Sequence, residues 1–581
     1  MVEPSRRTTL RRLATGTTVA VTSLALLAAA VPGPAPLGIG DRLFPHLGNP
    51  GLDVRAYDIA FHYEGDNTAD LSARTRITAA VTEPCLERFN LDFSAGTVRS
   101  VRVNGSSAEA VQAGQDLVVT PAEPVRRGDP LHVDIRHTSP TGDDGDLPSG
   151  WIRTRDGLVM ANQADAAHRV FPGNDHPSDK ARFTFRITAP KEYTAVAGGR
   201  RVGRTERGDR VTWTYRQREP MATELAQVSI GRSAVLRGTG PHGLPLRDVV
   251  PEQHRAALEP WLARTPDQLS WMEERVGRYP FETYGVLAAE ADLGFALETQ
   301  TLSLFSRSFF TAPGYPDWYR ESVMVHELAH HWFGNSVTPR RWSDLWLNEG
   351  HATWYEWTHA HEAGGQDLTR RVEAAYRASD RWRDAHGAPA ALDPPRVDGR
   401  MTIFQPIVYS GSAVVLYALR QRIGAQAFER LQRAWVARHR HGVAGTDDFV
   451  VLAGEVAGED LTSFLRPWLY GDSTPPMPGH PEWETDPVPS PSDGGAAGAE
   501  PVPDPGAEPE APSASGPDSA PAPGGPERRP DPLRLHGPHG VHGRHGSAPH
   551  LTGSGGRRAT PDGSASAGGE TRAARGGGKS G

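Results

Sequence analysis

The residues with the most chemistry in this chain are His326-Glu327-Leu328-Ala329-His330. On a helix, side chains four apart share a face, so the imidazoles of His326 and His330 can grip one metal ion. Glu327, one step round, then stands beside the ion, where it can take a proton from a water that the metal activates. A helix face with two solvated histidines is the rival reading of these five residues taken alone. Zinc in a catalytic site needs a third protein donor and an open fourth position. Glu349 follows His330 with eighteen residues between, inside WSDLWLNEGHATWYEW, which reads as a second helix returning past the first. Two His and one Glu leave one position for water, the donor set of a zinc hydrolase. The one cysteine, Cys85, removes Cys-based zinc knuckles and any intrachain disulfide, so His and carboxylates must hold a metal.

The elements around these residues change character along the chain. From about 251 onward, segments such as ESVMVHELAHHWFG, EGHATWYEWTHAHEAG and GSAVVLYALRQRIG space apolar residues at three and four, which predicts helices. Before about 236 the segments are short, often β-branched and turn-punctuated, as in LDVRAYDIAFHYE and ARFTFRITAP. Their period-two alternation predicts half-buried antiparallel strands. The expected class is α+β: an N-terminal β-rich domain over 45–236, then a mainly helical domain over 237–474. No internal repeat is visible.

Both ends lie outside that body. Arg6, Arg7, Arg11 and Arg12 precede an apolar or small stretch from Leu13 to Val31, and Ala28-Ala29-Ala30 offers a cleavage site, so 1–35 predicts an export signal peptide. Ser5-Arg6-Arg7-Thr8-Thr9-Leu10-Arg11 also resembles the twin-arginine export motif. The expected location is extracellular; the alternative is an uncleaved anchor, the only route to a membrane. The 475–581 stretch is rich in Pro, Gly, Ala and Ser, and it carries His536, His539, His542, His545 and His550. Such text buries too little apolar area to offset its ordering entropy and is expected to be disordered. It accounts for much of the 63 Gly and 51 Pro, and its removal with the signal leaves about 430 of the 581 residues. A net charge of −8 is too modest for a field that recruits nucleic acid.

HELAHHWFGNSV together with Trp346-Leu347-Asn348-Glu349-Gly350 resembles the zinc-site sequence of peptidase family M1, the aminopeptidase N-like gluzincins. The likeness runs from about Asp53 to Asp472, through PGNDHPSDKARFTFRITAP and YPFETYGVLAAEADLGFALETQ. It implies a saddle-like β sandwich ahead of a thermolysin-like catalytic domain, and one Zn2+ per chain held by His326, His330 and Glu349. It implies Glu327 as general base and peptides with a free N-terminus as substrates, cleaved by a monomer. The family's Gly-x-Met-Glu-Asn motif resembles Gly294-Phe295-Ala296-Leu297-Glu298-Thr299, with an extra Phe295, Leu for Met and Thr for Asn. Glu298 then pairs with the substrate's α-ammonium. Tyr409, in PIVYSGSAVVLYALR, matches the tyrosine that stabilises the oxyanion, while Tyr417 is expected in the core. Gln163 resembles a β-domain glutamine that reaches the substrate amine, and Asp344 and Thr353 are candidates for supporting the metal ligands. The globular text stops near Asp472, short of the helical C-terminal domain of many relatives, so a more open site is expected. The resemblance leaves room for a thermolysin-type endopeptidase, an epoxide hydrolase side activity or an inactive peptide binder.

Overall fold

The computed structural model describes residues 38–142, 149–395 and 403–488. The proposed export signal lies outside these residues. Among the described residues no helix is long and apolar enough to cross a membrane.

Alternation in the N-terminal half produces an eight-stranded sheet. Its order is Arg200–Arg207, Arg210–Met221, Ala181–Pro190, Leu52–His62, Leu71–Val81, Pro130–Ser139, Val98–Val103 and Ser106–Ser107. Neighbours are antiparallel except at the centre, where Leu52–His62 runs parallel to Ala181–Pro190. Phe183, Phe185, Ile187 and Ala189 point inward with Tyr57, Ile59 and Phe61, as period-two placement requires. A four-stranded sheet (Gly150–Arg153, Leu158–Ala161, Val228–Gly231, Thr194–Ala197) and a three-stranded one (Phe89–Asp92, Asp116–Thr120, Glu109–Ala113) share this core.

The second half opens on a sheet, not a helix. Ser233–Thr239, Pro245–Pro251, Val286–Ala289 and Ser303–Ser306 pair in that order, the last three parallel. The expected divide at Leu236 therefore cuts through a strand whose partner is Pro245–Pro251, where Leu236 pairs with Asp248. The first site helix (Asp317–Ala329), the return helix (Trp346–Glu362), and the helices Leu368–His386 and Ser412–Ile423 share one core with this sheet. The two halves are stitched by charge-assisted hydrogen bonds. Lys180 Nζ donates to the carbonyls of Asn335 (2.9 Å), Ser336 (3.0 Å) and Gly442 (3.3 Å). Arg247 donates to those of Ala197 and Gly199, each at 2.9 Å.

The expected start of a structureless tail at Pro475 is too early. Met477 and Trp483 are buried in the helical core, and Pro475 O accepts from Tyr376 Oη at 3.1 Å. Trp483 stacks on His480 (4.0 Å) and on Tyr417 (6.1 Å), so two large side chains in Pro-rich text hold the chain against the body as far as residue 488. The remainder of the expected tail, with its histidines, lies outside the described residues.

Candidate functional site

The first site helix and the return helix cross so that His326, His330 and Glu349 face one point. Each His Nε2 stands 3.5 Å from Glu349 Oε2, and all three groups are buried. Two donors bonded at about 2.1 Å to a tetrahedral ion stand about 3.4 Å apart, so the trio has the spacing zinc demands. The other ring nitrogens are already committed. His326 Nδ1 donates to Glu356 Oε2 at 3.1 Å, and Arg371 holds the far oxygen of Glu356 at 3.1 Å. His330 Nδ1 donates to Asn348 Oδ1 at 2.5 Å. Both imidazoles are thereby set in the tautomer that turns the Nε2 lone pair toward Glu349. Glu349 Oε2 is buried without a hydrogen-bond partner among the described residues. A buried carboxylate oxygen left unmatched between two imidazole lone pairs is what a cation would satisfy. The residues fit zinc.

Glu327 lies beside this trio, with Oε2 buried and unmatched. Burial, then the charges of Glu298 and Glu356, push its carboxyl well above the usual range; a divalent cation beside it acts in the opposite sense. Glu298 is placed by bonds from both halves of the protein. Its Oε1 accepts from Gln163 Nε2 at 2.8 Å and from Asn348 Nδ2 at 3.1 Å, and its backbone carbonyl accepts from Asn335 Nδ2 at 2.6 Å. Ligand atoms of Glu298, Glu327 and His330 lie within 4.8 Å of one another. His330 approaches Glu298 through Nδ1 (4.0 Å), the nitrogen bonded to Asn348, so this second trio is not a second metal site. Leu297, in place of the family's Met, is buried and bridges to Leu304. Thr299, in place of Asn, turns its hydroxyl onto Leu302 O.

Tyr409 sits in a widened turn, Ile407–Gly411, ahead of the helix Ser412–Ile423. Its half-buried ring lies 6.1 Å from that of His326, tilted by 28°. Burial, followed by the charges of Glu349, Glu298 and Glu327, holds the phenol well above its ordinary range, so it remains a hydrogen-bond donor. Tyr417 is buried in the core as expected and bonds His480.

Two candidate supports separate. Asp344 is not at the metal ligands: its Oδ1 accepts from Thr446 N (2.9 Å) and Oγ1 (2.6 Å) and anchors a distant helix start. Thr353 is buried one turn beyond Glu349, with no partner for its hydroxyl among the described residues. The supports are instead Asn348, Glu356 and Arg371. Glu356 is seven residues past Glu349, the same helix face two turns on, a spacing that marks it in hindsight. His331 was also missed. Burial drives its pKa down to about 3, so the ring is neutral; Nδ1 donates to Glu327 O (3.2 Å) and Nε2 accepts from Thr301 N (3.0 Å). That contact ties the zinc-motif helix to the segment carrying Glu298. Thr301 has φ of +71°, an unusual conformation for a β-branched residue, and Gly199 N donates to its hydroxyl at 2.7 Å.

Two glycines of the motifs are required by close approach. A Cβ on Gly350 would fall 2.6 Å from Ser412 Cβ, where the return helix meets the helix after Tyr409. A Cβ on Gly334, whose φ is +126°, would fall 2.0 Å from Asn348 Oδ1. Gly334→Ala therefore displaces the group that orients His330. Zinc affinity, measured by chelator competition, is expected to fall by about tenfold or more. Unchanged affinity would show that Asn348 does not set the ligand.

Comparison with known proteins follows this geometry. Residues 50–225 match the peptidase M1 N-terminal domain, and residues 262–468 match the peptidase family M1 domain. Aminopeptidase N of Streptomyces lividans is 26% identical over 443 residues, 72% of this chain and 50% of that protein. Leucyl aminopeptidase of Saccharolobus solfataricus is 25% identical over 338 residues, 54% of this chain and 41% of that protein. The chain thus spans about half the length or less of these curated relatives. Among solved structures, an M1 zinc metallopeptidase from Deinococcus radiodurans superposes with a TM-score of 0.64 at 29% identity, covering 76% of this chain and 99% of that one. A form of it has been solved with a Tyr-Ser-Ala substrate, and another is described as a two-domain enzyme.

Proposed function

The chain belongs to peptidase family M1, and on that premise we propose that it is a zinc-dependent aminopeptidase releasing single N-terminal residues from peptides. The observation that carries this reading is the closeness of Glu298 to the hydrolytic groups, within 4.8 Å of Glu327 and His330. A carboxylate there pairs with a free α-ammonium and sets the scissile bond one residue away. The aminopeptidase names of the relatives support the same reading.

His326, His330 and Glu349 would hold one zinc ion, which when bound supplies a Lewis acid that polarises a carbonyl and acidifies water. Glu327 takes the proton from the attacking water and delivers it to the leaving amine. Tyr409, protonated at working pH, donates to the oxygen on which negative charge grows. Gln163 and Asn348 fix Glu298, and Glu298 fixes the substrate's amine. The Arg-flanked apolar N-terminal stretch supports export and action on extracellular peptides.

The test is digestion of one peptide in free-amine and N-acetylated forms by zinc-loaded protein, followed by mass spectrometry. Stepwise loss of single residues from the free form alone is expected. Equal cleavage of both forms, or internal cleavage, would make the protein an endopeptidase.

A further inference from the structure

Glu224 belongs to no motif noted in the sequence, yet its charge reaches both Glu298 and Glu349. It lies on the turn Thr223–Leu225 that follows the strand Arg210–Met221, and it is only 4% exposed. Three bonds pin that turn. Leu225 O accepts from Gln300 N at 3.1 Å, on the segment carrying Glu298. Ala226 O accepts from Asn162 Nδ2 at 3.3 Å, beside Gln163. Thr223 Oγ1 donates to Asp175 Oδ1 at 2.6 Å. The side-chain amide of Gln163 bonds Glu298 at 2.8 Å, and the negative charges of Glu298 and Glu224 act on one another beside it.

The free atoms are as informative as the bonded ones. Both hydrogen bonds to the Glu298 carboxylate fall on Oε1, leaving Oε2 for a ligand. Glu224 Oε2 is buried with no hydrogen-bond partner among the described residues. A buried, unmatched carboxylate oxygen is costly unless a proton or a cation satisfies it. Burial and the negative charge of Glu298 push Glu224 well above the usual carboxyl range, against the amide of Gln163 and the nearby charge of Lys180.

We propose that Glu224 is a second carboxylate of the amine-recognition site, standing with Glu298 so that the α-ammonium of the substrate is received between the two. The inference rests on the aminopeptidase reading and deepens it. An ammonium group has three N–H donors in a compact head, and two separate carboxylates match it better than one. Arg371 already answers Glu356, so it does not compete for the pair formed by Glu224 and Glu298.

The test measures binding of L-leucine amide and of 4-methylpentanamide, the same molecule without its amine, to zinc-loaded protein carrying E327Q to prevent turnover. Calorimetry should show tighter binding of the amine-bearing ligand. Adding Glu224→Gln should weaken L-leucine amide by roughly ten- to hundredfold and leave 4-methylpentanamide unchanged. Glu224→Asp, which keeps the charge on a shorter arm, should fall between. Zinc content and the melting temperature of each variant report folding separately. Equal losses for both ligands, or none for either, overturn the role of Glu224 while the preference of the parent for the amine stands. A parent protein indifferent to the amine sinks the aminopeptidase reading itself.

Discussion

Glu327→Gln is expected to retain one zinc ion and to lower kcat for an aminoacyl amide by about 10²–10⁴-fold, the range for loss of a positioned acid–base group. Glu327 is not among the three donors that converge at 3.5 Å, so its replacement leaves His326, His330 and Glu349 in place. Glutamine has the same shape, and the buried Oε2 of Glu327 makes no hydrogen bond that the amide would break. The carboxyl is held well above its ordinary range by burial and by the charges of Glu298 and Glu356, so a neutral amide removes an unfavourable charge. The metal-free variant should therefore melt no lower than the parent. Metal analysis, steady-state kinetics and calorimetry on the same preparation separate the outcomes. Turnover at the parental rate would remove Glu327 from the proton transfer, and loss of zinc would place it among the ligands.

How much of this was legible beforehand follows from how local each signal is. His326, His330 and Glu327 lie within one turn and a half of helix, so their spacing alone determines that they meet. Glu349 needed the inference of a returning helix, and it stands where that inference put it, 3.5 Å from both imidazoles. Asn348 was visible as a motif letter but not as the acceptor for His330, because its role exists only once the turn at Gly334 packs against the return helix. Gln163 and Glu224 are further still from the zinc motif in sequence. Sheet topology and the turn Thr223–Leu225 bring them to Glu298, and no periodicity encodes that meeting. The strands Val286–Ala289 and Ser303–Ser306 escaped for a different reason. Four-residue segments buried at every position carry no period to distinguish strand from helix. Met477 and Trp483 show the limit of composition: a Pro-rich stretch packs when it carries two side chains large enough to reach the core.

Glu298→Gln is expected to separate metal chemistry from amine recognition. The variant should keep its zinc, because Asn348 retains the bond to His330 Nδ1 at 2.5 Å whether or not its own amide finds Glu298. A glutamine oxygen can still accept from Gln163 and Asn348, so the segment 298–300 should hold its place through Asn335 and Leu225. What disappears is the charge. Removing one partner of a buried, hydrogen-bonded charge pair costs about 2–5 kcal/mol, so kcat/KM for a free-amine peptide should fall on the order of 10²–10³-fold. N-acetylated peptide, which brings no cation, loses nothing by the change, and the ratio of the two rates should collapse by the same factor. That collapse is the decisive quantity, since a merely damaged site would slow both peptides alike and preserve their ratio. If the ratio survives Glu298→Gln, the free amine is read by another anion, and Glu224 is the buried carboxylate placed to read it. The double variant would then be the one that loses all preference for a free N-terminus.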